Sequence, residues 1–489
     1  MKLDSLNNQI QTILDDFGIL LPEATLIVGS FVLIILQLIY KDKGASIKTV
    51  FSLFLLGLIS LSVSATSISG SYFNGLLSLS QITGLAKPFF IVVTGFVLLF
   101  PKGDDLLKRG EYHFLLLMIL LGSMLLIQVN NLLLFYLSLE MISMTSYILV
   151  NFNFDKKGFE AGIKYLLFGA MASGLMLYGI SLIYGLTGSL DIAAIGVFIE
   201  NGSTTGLWLP LALMLFFVGI WFKLSLAPMH IWSPDVYEAG PTPVVAYISI
   251  LPKVAVLIFL GQFVLNTNLD LLDFDWKKIF ACLAMLSMFI GNLSALAQTN
   301  AKRMMAYSSI AHSGMLIIGI IVGNAFGIQA MLFYAIVYGF MNIGAFYIID
   351  LFHKQGFEKI EDLTGLGRKS PWLGVLAVVI MVALAGLPPT GGFTAKLLIF
   401  TSLWEYYQAE GHQYLLWLFG LGLLNTAISL FYYLKMPYYL LIHAGDSTGE
   451  IKFSIKDGTI VSIIVFLVLL LFFKADLLLN VLNQFNFAL

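Results

Sequence analysis

The fold of this chain is decided by one stretch near its middle, FKLSLAPMHIWSPDVYEAGPTPVV, residues 222–245. Four prolines and one glycine fall within these residues. Proline lacks the amide hydrogen that a helix requires, and its ring clashes with the preceding turn, so the stretch predicts a broken helix. Inside a membrane, the backbone groups that a break leaves unpaired are tolerated only where protein or water can bind them.

A second interruption lies in the other half of the chain, GLPPTGGFTAK, residues 386–396. A lysine stands beside each break, Lys223 at the first and Lys396 at the second. Paired broken helices in two halves are typical of transport proteins built from inverted repeats, with the functional site at the breaks. We therefore expect four segments: N-terminal helices at 1–110, a first five-helix repeat at 111–265, a second at 266–440, and a C-terminal helix at 441–489.

The composition places these breaks inside a membrane. Of 489 residues, 59% are hydrophobic and only 11% are charged, against about 25% charged in soluble domains. A span of the ~30 Å hydrocarbon core needs about 20 apolar residues. By that length, about fourteen stretches qualify, near residues 19–40, 47–68, 75–100, 112–129, 131–152, 160–186, 207–232, 243–265, 277–299, 304–322, 326–352, 372–403, 413–435 and 458–483. The sequence predicts an all-α polytopic membrane protein.

The basic residues predict how the chain is oriented. An even number of spans puts both termini on one side of the membrane. Sixteen of the 26 lysines and arginines fall in one set of alternating loops, and only Lys2, Lys277 and Lys278 fall in the opposite loops and the termini. Because cytoplasmic loops carry the excess of positive charge, we expect both termini on the outer face.

Several function classes do not fit this chain. With one cysteine, Cys282, it cannot supply the thiolates of an iron–sulfur cluster. The net charge of -2 and the lack of a basic tract argue against a nucleic-acid partner. No metal-ligand spacing of histidines is present. The longest hydrophilic connections are far too short for a soluble catalytic domain, so function must be sought inside the membrane.

Three lysines, Lys223, Lys253 and Lys396, are expected deep in the spans and in functional roles. A lysine at the centre of a span costs at least ~2.5–3.5 kcal/mol. Burial disfavours the charged amine and a nearby carboxylate favours it, so a pair of variable separation can hold and release a proton. The alternative, that each lysine ties together the free carbonyls of a broken helix, stays open.

A polar stripe runs along the fifth span, Tyr136, Glu140, Ser143 and Tyr147, at steps of four, three and four residues. That spacing aligns the four side chains on one helical face. In an otherwise apolar helix, such a face must point to the bundle interior, where Glu140 can meet a lysine. A purely structural ion pair between two helices remains the alternative reading.

Four further residues are candidate members of a proton relay. Glu160 and Lys164 lie one turn apart at the start of the sixth span, in the favourable order for an ion pair, and either anchor the helix end or act in proton uptake. His312 follows Ser308 by four residues in the tenth span, and imidazole relays protons near neutral pH. Lys87 is central in the third span, with no partner evident from the sequence.

Short motifs accompany these residues: LEM at 139–141, FKLS at 222–225, PMHIWSPDVYE at 228–238, PTP at 241–243, PKVA at 252–255, QTNAKR at 298–303, AYSSIAH at 306–312 and GLPPTGGF at 386–393. Together they resemble the antiporter-like membrane subunits of proton-pumping NADH:quinone oxidoreductase, respiratory complex I. Sister subunits and related antiporter subunits typically read PDAH where this chain has PDVYE at 234–238, and the largest sister adds a long lateral helix. The resemblance therefore favours the subunit N family.

That resemblance implies that Glu140 pairs with Lys223, that Lys253 bridges two half-channels, and that Lys396 passes the proton outward. It implies an enzyme complex in the bacterial plasma membrane, whose NADH site, flavin, iron–sulfur clusters and quinone chemistry belong to partner subunits, both hydrophilic and membrane-embedded. This chain would hold no cofactor and would move charge only. Apart from those subunits, the lipid bilayer is the expected partner.

Two rival functions fit the sequence less well. A subunit of a multi-chain cation/proton antiporter uses the same core, but Na⁺ would need several oxygen ligands at mid-depth, where this chain offers lysines and one carboxylate. A purely structural anchor would not need ionisable residues in the middle of the bilayer.

Overall fold

The computed structural model describes residues 16–40, 45–65, 69–100, 110–202, 206–445 and 453–483, without the side chains of 45–46 and 64–65. Both chain termini lie outside these ranges. So do several of the basic loop residues on which the expected orientation rests, namely Lys2, Lys41, Lys43, Lys102, Lys108, Arg109 and Lys452. The orientation therefore stays a prediction.

The first part of the chain forms three helices and a small hairpin. In chain order the elements are α1 (Leu21–Tyr40), α2 (Ala45–Ala65), β1 (Gly70–Tyr72), β2 (Leu77–Leu79) and α3 (Gln81–Leu98). A single 3₁₀ turn, Phe17–Leu20, precedes α1. The two strands pair antiparallel, with Ser71 opposite Ser78. The third span was expected to begin near residue 75, but residues 75–79 belong to this hairpin and its turn.

The next part of the chain contains the first predicted break. Its helices are α4 (Gly110–Leu126), α5 (Leu132–Val150), α6 (Lys156–Thr187), α7 (Ile192–Glu200), α8 (Trp208–Leu224), α9 (Trp232–Ala239), α10 (Thr242–Ile248) and α11 (Leu251–Thr267). The predicted broken helix is thus present as α8 and α9, with seven residues between them.

The remainder contains the second break. Its helices are α12 (Trp276–Leu296), α13 (Ala301–Val322), α14 (Ala325–His353), α15 (Leu366–Lys369), α16 (Pro371–Ala385), α17 (Gly391–Glu410), α18 (Gln413–Pro437), α19 (Ile455–Phe473) and α20 (Asp476–Asn483). Short 3₁₀ turns stand at Leu269–Leu271 and Ile360–Leu363, and a π-helical turn, Tyr438–Ile442, follows α18. The second broken helix is present as α16 and α17.

Local sequence explains where many helices begin and end. Asp155 accepts a hydrogen bond from the amide of Gly158 in the first turn of α6, and Asn300 does the same for Arg303 at the start of α13. These side chains satisfy amides that have no partner within the helix. Gly188 ends α6 in a left-handed conformation, φ 72°, which glycine adopts without steric strain.

The chain is a multi-pass membrane protein. Within the described ranges, ten helical segments are long and apolar enough to cross a membrane by length and composition. Four shorter apolar helices accompany them: Ile47–Val63, Gly110–Leu126, Trp208–Leu224 and Pro371–Ala385. Outer helices expose large apolar side chains such as Phe431 and Phe466, as expected of a surface that faces lipid rather than water.

The centre of the molecule is formed by α10, α11, α13 and α14. The apolar stretch of Thr242–Thr267 is completely buried, and 94% of the apolar stretch is buried in α13 and in α14. By contrast, only about a third of the apolar stretch is buried in α1 and α19. These central helices carry Lys253 and His312, so both residues are surrounded by protein rather than by lipid.

Two lysines expected in loops are buried in helices instead. Lys48 lies in the first turn of α2, fully buried, and donates a hydrogen bond to Gln37 of α1. Lys302 lies in the first turn of α13 and donates a hydrogen bond of 3.1 Å to the carbonyl of Gly240. Each ammonium is bound by a polar group of a neighbouring segment, which compensates for its removal from water.

Candidate functional site

The two breaks have similar geometry. Helix α8 ends at Leu224, followed by Ser225 in a left-handed conformation, φ 57°. Helix α16 ends at Ala385, followed by Gly386 with φ 83°. A cis peptide precedes Pro228 in the first break and Pro389 in the second. Both breaks therefore free the last carbonyl groups of a buried helix and direct the chain into a second helix, of 8 residues in α9 and of 20 residues in α17.

The two lysines beside the breaks have different partners. Lys396, in α17, donates a hydrogen bond of 2.6 Å to the carbonyl of Ala385 at the end of α16. Lys223, in the last turn of α8, donates one of 3.1 Å to the hydroxyl of Ser143 in α5. The alternative role of binding a freed carbonyl is thus observed for Lys396, whereas Lys223 reaches another helix.

The polar stripe on α5 faces α6. Ser173 of α6 donates a hydrogen bond to the carboxylate of Glu140, and its hydroxyl is hydrogen-bonded at 3.3 Å with that of Tyr136. A Cβ added to Gly169 would collide with the hydroxyl of Tyr147, so α5 and α6 approach closely along this face. The stripe lies at the edge of the bundle interior: Ser143 is buried, whereas Tyr136, Glu140 and Tyr147 are half-buried.

Glu140 and Lys223 do not form the direct ion pair that the resemblance implied. Both side chains lie in the described part of the chain, and each binds a serine instead: Ser173 for Glu140 and Ser143 for Lys223. Glu140 still lies within electrostatic range of Lys223. The acid and the amine are thus neighbours that do not touch.

Lys253 connects the two halves of the chain. Its ammonium, 1% exposed, donates hydrogen bonds to the hydroxyls of Ser309 at 2.7 Å and Ser313 at 2.9 Å, both on α13. Tyr338 of α14 donates a further hydrogen bond of 2.9 Å to the hydroxyl of Ser309. The amine of the first half is therefore held by hydroxyl groups of the second.

His312 lies at the centre of a second hydroxyl cluster. Its two ring nitrogens are each hydrogen-bonded at 2.8 Å, Nδ1 with the hydroxyl of Tyr334 and Nε2 with that of Tyr433. Ser308 is hydrogen-bonded to the same hydroxyl of Tyr433. The expected hydroxyl–imidazole face is present, but Tyr433 joins Ser308 and His312. His312 lies within electrostatic range of Lys253 and Lys396.

Glu160 and Lys164 pair as their spacing predicted, at 2.9 Å, on an exposed surface. Lys164 also pairs at 2.9 Å with Asp235 of α9. Asp235 in turn pairs at 2.9 Å with Arg303 of α13, which binds Glu238 at 2.8 Å. Burial raises the pKa of Asp235, but the neighbouring Lys164 and Arg303 outweigh it and hold that pKa below its ordinary value. This network ties the two halves together at the surface.

Lys87 has the partner that the sequence did not reveal. Its ammonium forms an ion pair of 2.8 Å with Glu23 in the first turn of α1, and both side chains are buried. Sequence reasoning also missed Ser309, Ser313 and Tyr433. The serines carried a signal, since Ser309 belongs to the AYSSIAH motif and Ser313 lies one helical turn after it. Tyr433 is distant in sequence and had none.

Comparison with known proteins identifies the class that this fold and site define. Residues 129–428 match the family described as NADH:quinone oxidoreductase/Mrp antiporter, a transmembrane family. The chain belongs to this family of membrane proteins.

Within the family the similarity is to subunit N. NADH-quinone oxidoreductase subunit N 2 of Chloroherpeton thalassium is 38% identical, over 78% of this chain and 77% of that protein. A chain of respiratory complex I from Thermus thermophilus is 31% identical with a TM-score of 0.79, over 94% of this chain and 99% of that one. A chain of the Mrp complex from Dietzia sp. DQ12-45-1b has a TM-score of 0.83 at 17% identity over 96% of each chain, a likeness of fold alone. The predicted resemblance is confirmed.

Proposed function

We propose that this chain is a proton-translocating membrane subunit of an NADH:quinone oxidoreductase. The observation that carries the proposal is the contact of Lys253 with Ser309 and Ser313, because it joins a buried amine of the first half to the polar face of a central helix in the second. The similarity to subunit N of Chloroherpeton thalassium and to a chain of complex I supports the identity of the complex.

The proposed path follows the buried groups in order. Glu140 and Lys223, neighbours that do not touch, stand first in the path. Lys253 bridges the halves, and Lys396 passes the proton outward, with His312 between Lys253 and Lys396. A buried amine is held in its charged form by a nearby carboxylate and loses its proton more readily when that carboxylate moves away. A change of electric field along the path would move Glu140 and Lys223 further apart. Lys223 would then lose its proton more readily, and the proton would pass toward Lys253.

The redox steps of the proposed reaction take place in other subunits. NADH oxidation, flavin, iron–sulfur clusters and quinone reduction belong to partner subunits, both hydrophilic and membrane-embedded, and quinone reduction supplies the driving force. This chain moves charge only. Supporting this division, its one cysteine cannot ligate a cluster of the usual kind.

The proposed topology counts the interrupted pairs, α8 with α9 and α16 with α17, as one span each. Together with the other apolar helices this gives fourteen crossings, two inverted five-helix repeats, and both termini on the outer face of a bacterial plasma membrane. The left-handed residue that ends the first helix of each break, Ser225 and Gly386, supports the repeat.

The decisive experiment uses the assembled complex in sealed membrane vesicles. Lys223→Ala and Lys396→Ala should lower the number of protons translocated per NADH oxidised, because each removes a titratable group from the path. Lys435→Ala is the matched control, since Lys435 binds the carbonyl of Gln298 near a helix end. Full proton stoichiometry in both variants of normally assembled complex would refute the path.

The antiporter alternative has its own test. The fold is similar to that of a chain from an Mrp complex, so a cation-exchanging role is a fair rival. Vesicles that contain only this chain would then show Na⁺-dependent proton flux, which the proposed function does not predict.

A further inference from the structure

A buried pair of amide side chains outside the proposed path joins α12 to α18. Nδ2 of Asn292, in α12, donates hydrogen bonds to two oxygens of Asn425 in α18, the side-chain oxygen at 3.0 Å and the backbone carbonyl at 3.2 Å. Both residues are completely buried. Tyr432, also in α18, donates a hydrogen bond of 3.0 Å to Oδ1 of Asn292. We call Asn292, Asn425 and Tyr432 the amide cluster.

The hydrogen bonds of the amide cluster run in one direction. Nδ2 of Asn425 donates to the carbonyl of Leu421 at 2.9 Å, so Oδ1 of Asn425 is the atom that accepts from Asn292. Because Nδ2 of Asn292 faces two oxygens, Oδ1 of Asn292 is left to accept from the hydroxyl of Tyr432. A buried amide is unfavourable unless it is hydrogen-bonded, and here both atoms of each amide have a partner. The amide cluster therefore favours one arrangement of α18 against α12.

Helices α12 and α13 are in close contact beside the amide cluster. A Cβ added to Gly291, the residue before Asn292, would lie 2.7 Å from the backbone nitrogen of Ala311, the residue before His312. Gly314 of α13 makes a second approach of this kind to the backbone of α12. Small residues let membrane helices approach each other this closely. The helix that carries Asn292 thus packs backbone to backbone against the helix that carries His312.

The helix that carries Tyr433 has little direct contact with the helix that carries His312. Helix α18 packs mainly against α12 and α16, and only slightly against α13. The hydroxyl of Tyr433 nevertheless lies 2.8 Å from Nε2 of His312, so its position depends on how α18 is held on α12. Tyr432 and Tyr433 are consecutive and buried, and their ring centroids lie 4.3 Å apart. A hydrogen bond that fixes the ring of Tyr432 therefore also restrains the ring of Tyr433.

We propose that Asn292 is a positioning residue for proton transfer at His312. Through Tyr432 it holds α18 on α12, and it thereby keeps the hydroxyl of Tyr433 within hydrogen-bond distance of Nε2 of His312. Asn292 passes no proton itself, because its amide only donates and accepts hydrogen bonds. This role rests on the proposed function, since it concerns one step of the proposed path.

The first test measures NADH-driven proton translocation by the assembled complex in sealed vesicles, in H₂O and in D₂O. Asn292→Leu should lower the rate about two- to tenfold, the factor that corresponds to one net hydrogen bond. It should also raise the H₂O/D₂O ratio of the rates to the value found in Tyr433→Phe, because the same proton transfer becomes limiting in both variants. A variant that only loosened the helix packing would lower the rate and leave this ratio unchanged.

Two further variants separate the hydrogen bond from the packing. Tyr432→Phe keeps the ring and removes only the hydroxyl that binds Asn292, so it should reproduce both effects even where Asn292→Leu does not assemble. The double variant Asn292→Leu with Asn425→Leu replaces both amides by apolar groups of similar size, an exchange that can be nearly neutral for stability. It should still translocate protons slowly, because Tyr432 has lost its acceptor.

Ser429→Ala is the matched control in α18, since this buried hydroxyl binds the carbonyl of Thr426 on its own helix. It should keep the wild-type rate and ratio. A wild-type rate in Tyr432→Phe or in the double leucine variant, or an unchanged H₂O/D₂O ratio in Asn292→Leu, would overturn the role of Asn292. A wild-type rate in Tyr433→Phe would overturn it as well, whereas the proposed function is judged separately by Lys396→Ala.

Discussion

Lys223 donates its hydrogen bond to Ser143 and not to Glu140, which lies three residues earlier on the same helix. A hydrogen bond to a charged group contributes about 1.5–3 kcal/mol, enough to decide where the ammonium rests. The hydroxyl therefore holds the amine beside the acid without contact. In the proposed path, this separation is what lets the proton leave Lys223.

Ser143→Ala should slow proton translocation. Without the hydroxyl, the ammonium should settle against Glu140, and a loss of ~1.5 kcal/mol corresponds to about a tenfold shift of that equilibrium. The measurement is the initial rate of NADH-driven acidification in vesicles. Ser123→Ala is the control, since its buried hydroxyl binds only the carbonyl of Ile119 on its own helix. Equal rates in the two variants would contradict the role of Ser143.

Ser309→Ala and Ser313→Ala should act together. Each removes one hydroxyl from the ammonium of Lys253, and in either single variant the other hydroxyl remains. The double variant should therefore lose more proton translocation than the two singles predict by multiplication. Ser429→Ala, which removes a buried hydroxyl bound to the carbonyl of Thr426, provides the baseline. Simple multiplicative losses would show that the two serines act independently.

Tyr433→Phe should impair proton transfer at His312, because the Tyr433 hydroxyl contacts both the imidazole of His312 and the hydroxyl of Ser308. We expect a rate loss with normal assembly, since the phenyl ring keeps the packing. Tyr247→Phe is the comparison: it removes an equally buried hydroxyl, which contacts Thr94 and the carbonyl of Leu116. If both variants pumped alike, the Tyr433 hydroxyl would be no part of the relay.

Asp235→Asn should lower the thermal stability of the purified complex at neutral pH, and more than Glu160→Gln does. Asp235 pairs with Lys164 and Arg303, whereas Glu160 pairs on an exposed face. The pKa of Asp235 is lowered in the folded protein. The stabilisation is thus fully present above the ordinary aspartate pKa of about 4 and is lost as the pH falls through the lower folded value. A difference from the wild type that persisted in acid would argue against a charge effect.

Gly392→Ala should destabilise the second break. An added Cβ would collide with the carbonyl oxygen of Ala383 in α16, and overpacking of this kind typically costs ~1–3 kcal/mol. Gly420→Ala is matched to it, because nothing lies within 4 Å of its Cβ position, and alanine is the better helix former. The thermal unfolding temperature should therefore fall in Gly392→Ala and rise in Gly420→Ala. An unchanged unfolding temperature in Gly392→Ala would refute the close approach of α17 to α16.

Both broken helices were predictable from sequence alone. Proline acts locally because it lacks the amide hydrogen, and glycine because it lacks a Cβ. The breaks at Pro228 and Gly386 can therefore be predicted without knowledge of neighbouring helices. The polar face of α5 was predictable for a similar reason, since a helix fixes which residues share a side. Lys87 shows the limit: its position in a span was evident, but its partner lies 64 residues earlier, on a helix whose placement no local rule gives.

The amino-acid sequence by itself determined the membrane class, the two breaks and the burial of Lys223, Lys253 and Lys396, because each follows from composition or from position within one span. Only the tertiary structure decided which groups meet: Ser143 rather than Glu140 at Lys223, Ser309 at Lys253, Tyr433 at His312, and Glu23 at Lys87. The physical reason is that a buried charge is bound by whatever polar atom the packing of several helices brings within hydrogen-bond distance. That packing depends on the whole bundle.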